Sequence, residues 1–170
     1  MKLLPPRSGS GRQIEMWMQQ VSAEMTRINF SLARAYLAAD QTVNDGAWTK
    51  VTLDTESFDL GNNFSAYKYT APITGYYHVD FGAGFYNVGT VLLSGVASLY
   101  LNGAEISRGG QIVVTTGHLS EGISKGSGLV YLTAGQYLEL YANVNSSDSS
   151  TSKVTGGSPY TFMSVHLIST

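Results

Sequence analysis

The stretch from Tyr76 to Tyr86, "YYHVDFGAGFY", constrains the fold more than any other part of the chain. From Tyr77 on, Tyr77, Val79, Phe81, Ala83 and Phe85 fall on one side of an extended backbone. His78, Asp80, Gly82, Gly84 and Tyr86 fall on the other. A period of two with one apolar side is the pattern of a β-strand with one buried face. Just ahead of it, "APITG" carries Pro72, which has no N–H to give a sheet, and Gly75, which accepts the backbone angles of a tight turn. The chain therefore turns into this strand. The glycines on the second side let something large approach the backbone.

The same alternation runs through residues 34–170. In "VASLYLNGAEIS" the pair Asn102-Gly103 predicts a two-residue type I′ hairpin, pairing Leu101 with Ala104 and Leu99 with Ile106. In "QYLELYANV", Leu138, Leu140, Ala142 and Val144 share one side, opposite Tyr137, Glu139, Tyr141 and Asn143. "RAYLAA", "AWTKVTL", "SAYKYTA", "QIVVTT", "GSGLVYLTAG" and "YTFMSVHLIS" extend the series, and "NSSDSSTSKVTGGS" reads as a polar loop. About nine short strands with regularly spaced turn signals predict a mainly β sandwich or jelly roll. Composition agrees: only 13% of residues are charged, with 19 Gly and 11 Tyr, against about 25% charged in an average soluble protein.

The N-terminal part follows other rules. Residues 1–11 form a Pro/Gly/Ser arm that builds no regular structure alone. Residues 12–33 lack Gly and Pro, and Ser10 with Gln13 offers a capping box. Ile14, Met18, Val21, Met25, Ile28 and Leu32 are spaced alternately four and three apart, the seam of a coiled coil. The same spacing also suits a helix packed on its own domain.

Chemistry is sparse. A net charge of −2 gives no footprint for nucleic acid or an anionic membrane. Without cysteine there is neither a disulfide framework nor a thiolate metal site. "MKLLPPRSGS" is not expected to act as a signal peptide, and no apolar run approaches a membrane span. "GISKG" fits G-x-S-x-G around Ser124, but a strand follows where a nucleophile elbow needs a helix. His78 and Asp80 share a strand side and read either as two ligands short of a metal site or as a hydrogen-bonded pair. His118 and His166 are isolated in sequence. Neither a catalytic site nor a cofactor is expected.

The ordered set Tyr69 to Phe81 ("YTAPITGYYHVDF"), Val96 to Gly103 ("VASLYLNG") and Leu132 to Leu140 ("LTAGQYLEL"), closed by "YTFMSVHLIS", resembles the globular-head jelly roll shared by tumour necrosis factor and the complement first component. The resemblance covers residues 34–170. It looks most like the knobs that bacteriophages carry on fibres, needles and capsid appendages. It implies a homotrimer, with Tyr76, Gly82, Gly84, Tyr137, Tyr141 and Phe162 as candidate contacts between heads, following a short trimeric coiled coil. The implied function is a non-enzymatic virion protein, assembled in the host cytoplasm. Its arm, tipped by Leu3 and Leu4 and stiffened by Pro5 and Pro6, docks into another virion protein, and its head binds a host-surface glycan or protein. The expected recognition loop is Asn145 to Ser158, with Asn145, Asp148, Ser150, Thr151 and Lys153. The loop around "GHLSEGISKG", with His118, Glu121 and Lys125, comes second. A bacterial trimeric coat or ligand protein with the same head is the alternative.

Overall fold

A computed structural model describes residues 11–29, 31–87, 91–114, 121–147 and 152–170, with side chains described except at 26–29 and 87. The helix α1 spans Gly11–Asn29. Strands follow in the order β1 (Ala33–Tyr36), β2 (Gln41–Thr42), β3 (Thr49–Lys50), β4 (Thr55–Asp59), β5 (Phe64–Ser65), β6 (Lys68–Thr70) and β7 (Gly75–Asn87). Then come β8 (Leu92–Leu101), β9 (Ala104–Arg108), β10 (Ile112–Val113), β11 (Glu121–Leu132), β12 (Tyr137–Ser146), β13 (Ser152–Thr155) and β14 (Phe162–Ser169).

These strands make two antiparallel sheets. The first runs β2-β13-β7-β14-β1-β4, with β11 added to β7. The second runs β10-β8-β12-β6-β5, with β3 on β12 and β9 on β8. The strand opened by "APITG" is the organiser of the first sheet. β11 follows one edge of β7 from Glu121↔Tyr86 to Leu132↔Gly75, while β14 and β13 share the other edge. Tyr77, Val79, Phe81, Ala83 and Phe85 are all buried, facing Leu99, Leu138, Leu140 and Val144 of the second sheet. Two glycines elsewhere make room for this core. A Cβ on Gly95 would lie 2.5 Å from the Phe85 ring, and one on Gly126 would enter the Phe81 ring. Burial pushes the Tyr69 phenol up, and its hydroxyl donates to the Ser31 carbonyl at 3.0 Å.

Several elements depart from the sequence expectation. α1 stops at Asn29, so Leu32 cannot belong to a helical seam; its carbonyl accepts the Leu60 N–H at 3.1 Å, drawn into the head. Ser10 of the expected capping box lies outside the described residues. The Asn102-Gly103 turn forms with both φ positive, 50° and 81°. A bulge then pairs Leu99 with Ser107 instead of Ile106, which leaves Ile106 exposed. "SAYKYTA" is a tight hairpin, Phe64↔Tyr69, turning at Ala66 and Tyr67 with φ 48° and 62°. In "AWTKVTL" the strand is limited to Thr49 and Lys50, with the Val51 N–H donating to the Leu140 carbonyl at 2.8 Å beyond it. The polar loop hides β13, because Ser152 and Val154 alternate inward and are buried among Ser and Thr.

Candidate interaction surfaces

The outer side of the first sheet is a grid set by strand register. Around Tyr76, His78, Asp80 and Gly82 of β7 stand Tyr131, Leu129, Ser127 and Lys125 of β11. On the other edge, β14 places His166 against His78, Ser164 against Asp80 and Phe162 against Gly82. One corner of this grid is apolar and unburied: Tyr76, Leu129, Tyr131 and Ile168 are 49% to 65% exposed. The Tyr76 and Tyr131 rings meet edge to face, centroids 5.1 Å apart. Ala33, first residue of β1, pairs with Val165, so the chain leaving α1 enters the head beside this corner, and α1 touches β14. Along the helix, Ile14, Met18 and Met25 are 44% to 62% exposed and Val21 is half-buried. Ile14, Met18 and Met25 therefore find no cover in their own head, whereas a helix packed on its domain would bury them.

Further along the same face, Phe162 lies under the Arg34 guanidinium at 4.1 Å, with the Lys125 ammonium at 5.9 Å. Arg34 is held in place by donating to Ser164 Oγ and the Ser158 carbonyl, each at 2.9 Å. The space over Gly82 and Gly84 is filled from within the chain. A Cβ on Gly82 would meet Lys125 and Phe162 at 3.2 to 3.4 Å, and one on Gly84 would meet Thr155 and Tyr160 at 3.1 Å. The close approach inferred at these two glycines is thus made by this chain's own side chains.

Tyr137 and Tyr141 occupy the outer side of the second sheet, across the sandwich from Tyr76 and Phe162, so the six candidate contacts do not form one patch. Tyr141 stacks on Tyr100 with centroids 4.0 Å apart, and Trp48 leans on Tyr100 at 6.2 Å. Lys68 sits 4.3 Å over the Tyr137 ring. Between them Glu139, nearly buried, accepts a 2.6 Å bond from Lys50. Arg108 and Ser98 donate to Glu105 and hold its carboxyl down to about 2, the Arg108 bond contributing most.

The expected recognition loop is smaller than its sequence. Asn145 belongs to β12, with its amide donating to Ser94 Oγ at 3.0 Å. Lys153 lies in β13, opposite Thr42 and Tyr86. Asp148, Ser150 and Thr151 lie outside the described residues. Both flanks are tied at one carboxylate: Asp45 Oδ1 accepts from Ser146 N at 2.7 Å, Ser146 Oγ at 3.0 Å and Ser152 Oγ at 2.7 Å. In the second candidate loop, Glu121 and Lys125 belong to β11, and His118 lies outside the described residues. Ser124 of "GISKG" is mid-strand and buried, its Oγ accepting the Ala97 N–H at 2.9 Å, so it has a structural role and no elbow surrounds it. Leu3, Leu4, Pro5 and Pro6 lie outside the described residues, as does the side chain of Ile28.

Sequence reading missed Leu129, Tyr131 and Ile168 as an exposed corner. The alternation of "GSGLVYL" already puts Leu129 and Tyr131 on one side, but only pairing with β7 shows that this side faces away from the core. It also missed Asp45, whose partners are a hundred residues distant.

Two facing antiparallel sheets, with β7 flanked by β11 and β14 and the last strand between β7 and β1, define a jelly roll of the tumour-necrosis-factor and complement-head type. No protein-family model matches the sequence, and no curated protein matches it. Solved structures do. Murine APRIL aligns at 14% identity and TM-score 0.57, over 81% of this chain and 98% of that one. Eiger TNF from S. frugiperda aligns at 10% identity and TM-score 0.57, over 82% and 94%. The globular domain of zebrafish complement 1qA aligns at 11% identity and TM-score 0.55, over 81% and 97%. At such identities the likeness is one of fold.

Proposed function

We propose that this protein is a homotrimeric, non-enzymatic bacteriophage virion protein, a short helical stalk carrying a jelly-roll head. The observation that carries the trimer is the presence of two unburied apolar surfaces: the helix seam of Ile14, Met18 and Met25, and the corner of Tyr76, Leu129, Tyr131 and Ile168. Exposed apolar area of this kind marks a contact surface. Threefold packing of helix on helix and head on head would cover both at once, and heads of this fold typically assemble as homotrimers. A helix of 19 residues gains little stability alone, so the stalk draws its order from association.

The virion reading rests on the arrangement of arm, stalk and head. Residues 1–11 are the anchor, with Leu3 and Leu4 seated in a pocket of another virion protein and Pro5 and Pro6 limiting the entropy lost on docking. The opposite end of the head, where Asp45 gathers the flanks of residues 147–151, presents the surface for a host glycan or protein. Three copies would add avidity to weak single contacts.

Light scattering coupled to size-exclusion chromatography tests the trimer: threefold mass is expected, and a monomer at micromolar concentration overturns it. Deleting residues 1–9 tests the anchor. The truncated protein should remain a trimer and fail to join particles, and normal incorporation refutes the docking role.

A further inference from the structure

Glu121 and Lys153 lie in different segments of the sequence, and strand register brings them into one row. Both are direct partners of Tyr86, Glu121 from β11 on one edge of β7 and Lys153 from β13 on the other. In the next row Ile123 and Thr155 flank Gly84 in the same way. These residues belong to the outer side of the first sheet, because Phe85, between the two rows, points into the core.

β7 changes partners at this place. β13 pairs with it as far as Thr155, and β14 begins at Phe162, opposite Gly82. The turn between them carries Tyr160 over Gly84, where a Cβ would meet Tyr160 and Thr155 at 3.1 Å. Hydrogen bonds fix this wall. Tyr160 N donates to the Gly157 carbonyl at 3.0 Å, and Thr161 Oγ1 accepts the Gly84 N–H at 3.0 Å while donating to the Thr155 carbonyl at 2.6 Å. A depression of about 390 Å³ remains, with Glu121 and Ile123 on one side and Thr155 and Tyr160 on the other. Small-molecule sites have volumes of roughly 300–1,000 Å³.

The lining narrows what can bind. Ile123 and Tyr160 are 41% and 45% exposed and offer apolar surface. Among the described residues, neither Glu121 nor Lys153 makes an ion pair. Three adjacent strands hold the two about 10 Å apart, with Tyr86 between. A wholly apolar ligand would strip water from the Glu121 carboxylate and give no bond in return. An anion would be repelled by that carboxylate, and Arg34 and Lys125 are turned to the Phe162 ring. A pyranose meets both demands, with an apolar C–H face for the tyrosine ring and hydroxyls that donate to a carboxylate and accept from an ammonium.

We propose that this depression binds a neutral oligosaccharide, one ring on Tyr160 with its hydroxyls on Glu121, the next reaching across Tyr86 to Lys153. The proposal rests on the reading of the head as a host-surface binder and gives that reading a ligand class and a place. The pinned turn leaves little to order on binding. The apolar corner at Tyr76 is about 26 Å of strand away from Gly84 along β7, so one protomer can hold a sugar there while the corner meets a neighbour.

The full chain is applied to a printed array of neutral, sulfated and sialylated oligosaccharides, and the strongest neutral binder is titrated calorimetrically. One site per protomer is expected. Glu121→Gln and Lys153→Met should each weaken binding by about tenfold or more, the worth of one hydrogen bond to a charged group. Tyr160→Ala should cost at least as much, as loss of an aromatic anchor does. Melting temperatures establish that each variant is folded, and Glu121→Gln alters an exposed side chain only. Binding to no neutral sugar, preference for the sulfated or sialylated ones, or binding that survives both Tyr160→Ala and Glu121→Gln overturns the proposal. The readout is sugar bound by the isolated protein. A chain that binds sugar through these residues and never joins a particle sinks the virion reading and keeps the site, whereas a particle component that binds none sinks the site alone.

Discussion

Replacing Asp45 with Ala removes one oxygen that accepts three bonds, from Ser146 N, Ser146 Oγ and Ser152 Oγ. Ser152 is fully buried and Ser146 nearly so. Hydrogen bonds to a charged group are each worth about 1.5–3 kcal/mol, and a buried donor stripped of its acceptor costs about 1–3 kcal/mol. The three bonds share one acceptor and are not additive, and Ser152 Oγ keeps Ser146 Oγ at 3.2 Å. The net loss should therefore be about 2–4 kcal/mol by the same bond values. For a domain of this size that lowers the melting temperature by roughly 5–15 °C. Urea unfolding of the two proteins measures it directly, and Asp45→Asn, which keeps a neutral acceptor, should fall between them. Limited proteolysis gives a second reading, since the loosened 146–152 junction should be cut first. A loss below about 0.5 kcal/mol, the range of ordinary surface changes, refutes the view that this carboxylate ties the two strands together.

Four further outcomes follow from the same structure. Gly126→Ala places a methyl group in the Phe81 ring and should destabilise by about 1–3 kcal/mol in denaturant unfolding, as overpacking does. Met18→Glu with Met25→Glu should turn the proposed trimer into a monomer by light scattering while leaving the sheet circular dichroism of the head unchanged. Lys50→Met leaves Glu139 nearly buried without its cation and should lower stability by about 1–3 kcal/mol in urea, since a buried acceptor loses its donor. Glu105 is held at about 2, below the ordinary value of 4.5. Its contribution is therefore full above pH 4.5 and fades as pH falls toward 2. The effect is small at so exposed a position, and the stability gap between wild type and Glu105→Gln should narrow over that window.

The architecture was legible wherever one face is buried and the strand is long. Tyr77 to Phe85 and Leu138 to Val144 alternate because the core enforces it, and Asn102-Gly103 announces its own turn. Short strands were not legible in this way. Ser152 to Thr155 is polar enough to pass for a loop, and it is a strand because β7 offers it an edge. Ala66 and Tyr67 carry no glycine to mark their positive φ; the hairpin between Phe64 and Tyr69 imposes it. Leu32 fits the helical spacing, yet its carbonyl is claimed by Leu60. Which surface a residue faces was the hardest inference. Tyr76 and Tyr141 look alike in sequence and end on opposite sides of the sandwich, because they sit in different sheets. His166 met His78 only through the register of β14 on β7.

That last strand has a consequence for how the molecule is made. β14 lies between β1 and β7, and it supplies Met163, Val165 and Leu167 to the core. On a ribosome the first sheet has a gap at its middle until these final residues emerge, and loop closure over most of the chain must precede the reward of pairing. The helix precedes the head in the chain, and its own turns are hydrogen-bonded locally, so its seam is available while the head is being made. In the proposed trimer, nascent helices on one messenger would thus find each other before any head is complete, and the order of synthesis would favour like chains over strangers. The waiting head carries open strand edges during that interval, the state in which chains of this topology aggregate.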